Sequence, residues 1–160
     1  MTGDPLHSSH RSSLLDVAPA RAWAAVVAAG GRPRWYVDAA PWRVRGGIDR
    51  LVGGAGRRWP VPGQARLSPG DTAGFWRVLK VDDARGVLLL EAAVRSPGTV
   101  TLRTSVQAVS NHKCRVEQVV TFTPRGALGR LYLLADLPAR AAVIALCHRT
   151  LIAEITAGRT

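Results

Sequence analysis

The second half of the chain has the sequence pattern of β-strands, and its last two segments alternate between apolar and polar residues with the two-residue period of a strand. Four such segments follow one another, and short turns rich in glycine, proline, aspartate or asparagine separate them: 74–81, 87–94, 99–109 and 114–123. Turns this short join neighbouring strands that run in opposite directions. The pattern therefore predicts a hairpin that continues into an antiparallel meander.

The alternation also assigns the two faces of the last two strands. In 99–109, one face carries Val100, Leu102, Val106 and Ala108, and the opposite face carries Thr101, Arg103, Ser105 and Gln107. In 114–123, the apolar face is formed by Cys114, Val116, Val120 and Phe122, and it also contains Gln118. We expect one face of the sheet to be solvated and the other to pack on a core.

Helical patterns lie at both ends of the chain. A strand over 10–17 leads into a short helix from Pro19, with Asp16 or a neighbour as the cap and Gly30-Gly31 as the stop. From Leu137-Pro138 to Ile155 the chain is apolar almost throughout, which predicts a helix of about five turns covered by the sheet. Between 31 and 70 the pattern is irregular, apart from one or two helical turns at 48–52.

The packing of that helix on the sheet leaves two possibilities open. The helix contributes Ala139, Ala141, Ala142 and Ala145, which fill little space. A bent sheet around such a helix leaves a gap of the kind that binds apolar ligands. Alanine is also a good helix former, so a core that closes tightly is the alternative.

Composition removes several classes of function. The chain has 160 residues and a formal net charge of +11, and arginine supplies every cation except Lys80 and Lys113. These cations are spread along the chain, so we expect no nucleic-acid partner. No apolar run approaches the ~18 residues that cross a bilayer, and the first residues are polar, so we expect a cytoplasmic protein without membrane insertion.

Candidate cofactor and metal motifs are also weak. Cys114 and Cys147 have no Cys-x-x-Cys spacing, and we expect two buried, reduced thiols. The four histidines, at 7, 10, 112 and 148, form no ligand set, so no metal is expected. The glycines at 53, 54 and 56 lack the spacing and the βαβ context of a dinucleotide loop, so no cofactor is expected.

Three phrases of the sequence resemble the START / polyketide-cyclase-like (SRPBCC, helix-grip) superfamily: Pro69–Val78, Leu88–Gly98 and Gln118–Tyr132, with a weaker fourth at Leu51–Arg58. They are most similar to a bacterial branch that is often associated with short-chain-reductase-like proteins. The chain departs from that branch at Val100-Thr101, where the branch has an aromatic residue. It departs again at Ala139-Arg140, where the branch prefers a bulky aromatic residue and histidine.

The resemblance implies an α+β helix-grip fold, with a curved antiparallel β-sheet wrapped around a long C-terminal α-helix and a ligand cavity between them. We expect one such domain over 10–160, with 1–9 as a flexible N-terminus. The implied function is binding of an apolar small molecule and cofactor-independent cyclisation of a polyketide-like intermediate in secondary metabolism. A non-catalytic carrier or sensor, or an accessory domain of a reductase-like partner, is the alternative, because fold does not settle function.

Three polar residues are the candidates for catalysis. His148 lies in the last helix and titrates near neutral pH, although a satisfied core or surface histidine is the simpler interpretation. Glu91 would be a proton donor if it faced the concave side, and otherwise an outward partner of Arg77 or Arg103. Gln118 would be a neutral hydrogen-bond partner.

The expected walls of the cavity are apolar and aromatic residues that are equally suited to core packing: Trp42, Trp76, Val106, Phe122, Tyr132 and Leu146. Trp35, Trp42 and Trp59 lie in the irregular region, and they form either a lid or anchors for a long loop. No Ser-His-Asp or Cys-His arrangement is present, so covalent hydrolysis is disfavoured.

Overall fold

A computed structural model describes residues 7–29, 35–38, 63–93 and 98–157, and among these the side chains of 126–140 and 143 lie outside the description. The elements follow in this order: β1 (Ser8–Leu15), α1 (Pro19–Val27), α2 (Trp35–Asp38), β2 (Thr72–Ala73), β3 (Trp76–Asp82), β4 (Val87–Ala92), β5 (Gly98–Ser110), β6 (Lys113–Pro124) and α3 (Gly126–Ala157). The helical turns expected at 48–52 lie outside the described residues.

The strands form one six-stranded antiparallel sheet in the order β1-β6-β5-β4-β3-β2. The predicted meander is confirmed as β3 to β6, and β1 adds to its far edge by pairing with β6 along its whole length. Ser8 and Ser9 already pair with Thr121 and Val120. The sheet therefore begins two residues before the expected boundary at residue 10.

Local irregularities shape the meander, among them a register shift between β3 and β4 at Val78/Lys80. The β3–β4 turn uses Gly86 at a positive φ of 58°, where an added Cβ would lie 2.6 Å from the backbone oxygen of Val106. Between β5 and β6 the register shifts at Ala108/Ser110, which leaves Val109 in a bulge and 55% exposed. The bulge moves every residue of β5 by one position relative to β6.

The helix α1 packs one apolar face on the sheet and carries Pro19 in its first turn. Ala22, Val26 and Val27 are buried, as their spacing predicts. The cap is Ala18, which has no capping side chain, so the expectation for Asp16 is wrong; Asp16 instead pairs with Lys113 at 3.1 Å. Trp23 fastens the helix to the β3–β4 turn because its Nε1 donates to Asp83 at 2.7 Å.

The helix α3 follows β6 directly and begins at Gly126, so Pro138 lies inside it and not at its start. In its last turns, one stripe is buried at the helical spacing: Ile144, Cys147, His148, Leu151 and Ile155. α3 packs on β6 and β1, and its other neighbours are α1 and α2. The face of the sheet that it covers is called the concave face below.

Candidate functional site

The concave face carries a small group of buried and half-buried polar side chains on three neighbouring strands. Thr104 on β5 lies opposite Gln118 on β6, and Gln118 lies opposite Arg11 on β1. One pleat further along, Val116 on β6 lies opposite Ser13. Residues directly opposite each other share a face of the sheet. We refer to Ser13, Thr104, Gln118 and the His148 side chain above them as the concave polar cluster.

Gln118 is fully buried between apolar neighbours. Its Nε2 donates to the Thr104 hydroxyl at 3.2 Å, and Thr104 is itself fully buried. Its Oε1 is buried and has no hydrogen-bond partner among the described residues. A buried polar atom without a partner costs about 1–3 kcal/mol. Native proteins contain few such atoms, so this oxygen is a place where a ligand group would be stabilising.

His148 reaches down from α3 to the first strand. Its Nε2 lies 2.8 Å from Ser13 Oγ, and the residue is 6% exposed. The Nδ1 atom is buried and lacks a partner in the part of the chain that the structure describes. Burial lowers the pKa of His148 below its ordinary value of 6.5, and the charges of Arg11 and His10 lower it further. The ring is therefore neutral at pH 7.

The two orphaned atoms lie on the same side of the sheet. Ser13 pairs with Val116, which is two residues before Gln118 on β6, so Ser13 and Gln118 are diagonal neighbours. Such diagonal positions are separated by roughly 7–8 Å. The Gln118 side chain and the Ser13 hydroxyl that contacts His148 are therefore close neighbours on this face.

Apolar side chains surround this cluster on the concave face. Val106 and Phe122, two of the expected wall residues, are buried beside it on β5 and β6. Leu102 and Val120 complete the row between them, and both are buried. Within this part of the sheet, the surroundings therefore suit an apolar molecule and offer polar contacts at a few atoms only.

Glu91 does not belong to this site. Its register partners are Arg77 on β3 and Thr101 on β5, and Arg77 is exposed. Its chain neighbour Leu90 is fully buried on the concave side. Successive residues of a strand point to opposite faces, so Glu91 lies on the outer face. The expectation of a desolvated proton donor at Glu91 is corrected accordingly, and the outward alternative fits its position beside Arg77.

The other expected wall residues are distributed differently. Trp76 is fully buried, and its Nε1 donates to the Tyr36 backbone oxygen at 3.0 Å, so it ties β3 to α2 as core packing. Leu146 is half-buried and lies off the stripe of α3 that faces the sheet. Tyr132 belongs to α3, but its side chain lies outside the described residues, as does Trp42 altogether.

Of the three tryptophans in the irregular region, Trp35 is the one that lies within the described residues. Trp35 is fully buried in α2, and its Nε1 donates to the Val26 backbone oxygen at 3.3 Å. This contact makes Trp35 an anchor that joins α2 to α1. Trp59 lies outside the described residues, so the choice between lid and anchor applies to Trp35 alone.

Two members of the cluster, Thr104 and Ser13, were absent from the sequence-based candidates. Thr104 occupies the apolar phase of β5, between Leu102 and Val106, so the alternation itself contains the indication that finds it. Ser13 lies in a strand with several polar residues, and its importance depends on the helix that approaches it. No sequence pattern places His148 above Ser13.

Neither metal ligands nor a membrane span emerge from the described residues. Among them, no three histidine, cysteine, aspartate or glutamate side chains are grouped so that they could hold a metal ion. Their helices also include none that is long and apolar enough to cross a bilayer. Cys114 and Cys147 are both buried, and neither forms a disulfide with a described cysteine, as expected.

The chain matches a family model described as "Protein of unknown function (DUF2867)" over residues 2–147. It belongs to the DUF2867 family. The match includes all six strands and α3 as far as Cys147, so the concave polar cluster except His148 lies inside it. No curated protein matches the DUF2867 chain in sequence.

Many solved structures share this fold, and the three described next are remote in sequence. A protein from Nitrosomonas europaea has a TM-score of 0.60 and 12% identity, over 99% of this chain and 100% of its own. Norcoclaurine synthase from Thalictrum flavum, a point mutant in complex with a transition-state analogue, has a TM-score of 0.57 and 8% identity, over 96% of each chain. The Bacillus cereus protein XoxI has a TM-score of 0.52 and 15% identity, over 96% of this chain and 99% of its own.

These likenesses establish the fold of the DUF2867 chain as helix-grip. The antiparallel six-stranded sheet and the C-terminal helix of the superfamily that its sequence resembles are both present. At such low identity, the likeness carries no residue roles from one protein to another. The concave polar cluster must therefore be interpreted from its own geometry.

Proposed function

We propose that the DUF2867 chain binds an apolar small molecule between α3 and the concave face of the sheet. The observation that carries the proposal is the buried Gln118 Oε1, which has no partner among the described residues and faces the helix from an apolar surface. A core selected for stability alone would place an apolar residue there. A buried polar atom without a hydrogen-bond partner costs more free energy than a hydrogen-bonded polar group or an apolar side chain. Residues that lower stability in this way are typical of binding and catalytic sites.

We further propose that the bound molecule is a polyketide-like intermediate and that the protein promotes its cyclisation without a cofactor. A site of this kind accelerates ring closure by holding a flexible chain in a reactive shape. His148 supplies the proton transfer: when its Nε2–H donates to Ser13 Oγ, Nδ1 carries a free lone pair and can accept a proton. The ring is neutral at pH 7, as a general base must be.

The test is turnover of linear poly-ketone precursors, followed by mass spectrometry and chromatography of the products. We expect ring-closed products with the native protein and at least a tenfold lower rate with His148→Gln, consistent with the 10²–10⁴-fold range of general acid–base catalysis. His112→Gln is the matched control, because His112 lies exposed in the β5–β6 turn. Equal rates for His148→Gln and the native protein would contradict the role of His148.

A non-catalytic carrier or sensor uses the same site, and the two functions differ in the fate of the ligand. A carrier returns the ligand chemically unchanged, and His148→Gln then alters affinity without altering any product. We also propose a cytoplasmic protein that works with a reductase-like partner, on the strength of the sequence resemblance alone. Co-purification of a reductase with the tagged chain tests that association.

A further inference from the structure

The free atom of Gln118 is a hydrogen-bond acceptor, and this limits what the ligand can be. One N–H of the amide nitrogen donates to Thr104, and the amide atom with no partner among the described residues is Oε1. An amide oxygen bonds only to a donor, which means an O–H or N–H group of the ligand. A pure hydrocarbon ligand would leave the oxygen without a hydrogen bond. The free-energy cost of burying it would then be the same as in the free protein.

Neither kind of ion suits a direct contact with Gln118 Oε1. A carboxylate would place its lone pairs against those of Oε1, with no proton between them. An ammonium group would lie in the same row of the sheet as Arg11, which faces Gln118 from β1. Burial of an ammonium group beside Arg11 also carries a large desolvation cost. What remains is a neutral donor.

We propose that the ligand is a neutral apolar molecule with a hydroxyl group, a phenol or an alcohol, and that this hydroxyl donates to Gln118 Oε1. The inference rests on the proposed function, because it defines the ligand class of the same site. The apolar body lies against Leu102 and Val120, the pair next to Thr104 and Gln118, and a second polar atom of a larger ligand reaches His148 Nδ1. The neutral imidazole supports this assignment, since it presents no charge to the ligand.

Four probes with one ring system and different polar groups test the inference by equilibrium dialysis: naphthalene, naphthol, naphthoate and naphthylmethylamine. We expect the native protein to bind naphthol about tenfold more tightly than naphthalene, a ratio equal to about 1.4 kcal/mol, because the hydroxyl gives the buried oxygen a hydrogen-bond partner. The two ionic probes should bind more weakly than naphthol. In Gln118→Met, naphthol and naphthalene should bind within about twofold of each other.

Each outcome separates this inference from the proposed function. Equal binding of naphthol and naphthalene to the native protein overturns the hydroxyl inference and leaves apolar binding intact. Tighter binding of either ionic probe overturns neutrality. A preference for naphthol that survives in Gln118→Met overturns the assignment to Gln118. If no probe binds, the proposed function fails as well.

Gln107→Met, on the exposed side of β5, is the matched control, and the double variant Thr104→Val/Gln118→Met provides a second folded protein without the amide.

Discussion

The hydrogen bond between Thr104 and Gln118 provides a quantitative test of whether the concave polar cluster lowers the free energy of unfolding. Thr104→Val replaces the hydroxyl by a methyl group of nearly the same shape and removes the partner of Gln118 Nε2. The buried amide then has no partner at either end among the described residues. Leaving such a group unsatisfied costs about 1–3 kcal/mol, so we expect the free energy of unfolding to fall by that amount.

Adding Gln118→Met to Thr104→Val should reverse the loss. The double variant replaces both polar groups by apolar groups of similar shape, which is close to neutral or stabilising. It also removes the Oε1 orphan that the native protein carries. We therefore expect the free energy of unfolding of the double variant to lie within about 1 kcal/mol of the native value or to exceed it. The effects of the two substitutions should then be strongly non-additive.

Urea unfolding of the four proteins in this cycle, at neutral pH and without ligand, measures these free energies from the midpoint and slope. Thr101→Val is the matched control, because Thr101 lies on the outer face of the same strand; its effect should stay within about 0.5 kcal/mol. The reasoning is refuted if Thr104→Val has no effect beyond this control, or if the double variant is as unstable as the sum of its parts.

Two further predictions concern His148 and the β3–β4 turn. Because burial lowers the pKa of His148, the unfolded chain binds the proton more readily than the folded chain, so the free energy of unfolding should fall as the pH drops below 6.5. His148→Gln should reduce this pH dependence of the urea midpoint. An unchanged pH profile in the variant would contradict the prediction. Gly86→Ala should lower the free energy of unfolding by at least about 2 kcal/mol, because the residue has a positive φ and the new Cβ would meet the Val106 backbone oxygen. Gly63→Ala, where a Cβ meets nothing, should be close to neutral, and equal effects of the two would be inconsistent with this argument.

The strand arrangement could be predicted from the sequence because its turns and its alternation agree. The turns before β4, β5 and β6 fix the meander, and the apolar phase of β6 places Gln118 on the buried face, as found. The alternation fails in β4, where Leu88, Leu89 and Leu90 are all apolar. Without a polar residue to mark the phase, the face of Glu91 was undetermined until the register was known.

Other features depend on contacts that no local pattern contains. The bulge at Val109 shifts β5 by one residue, and this shift places Thr104 rather than Ser105 opposite Gln118. A β5–β6 turn without the bulge, as the sequence alone suggests, would place Ser105 opposite Gln118. The contact of His148 with Ser13 joins residues from opposite ends of the chain, and it exists because α3 crosses β1.

Direct observation of the bound probe would test the central claim, that a hydroxylated apolar molecule lies between α3 and the concave face. Nuclear Overhauser contacts between naphthol and isotope-labelled protein report which side chains are near the ring. We predict contacts to the Leu102 and Val120 methyl groups and to the Gln118 side-chain amide. Contacts confined to the outer face, at Thr101 and Gln107, or retained unchanged in Gln118→Met with the same affinity, would contradict the account.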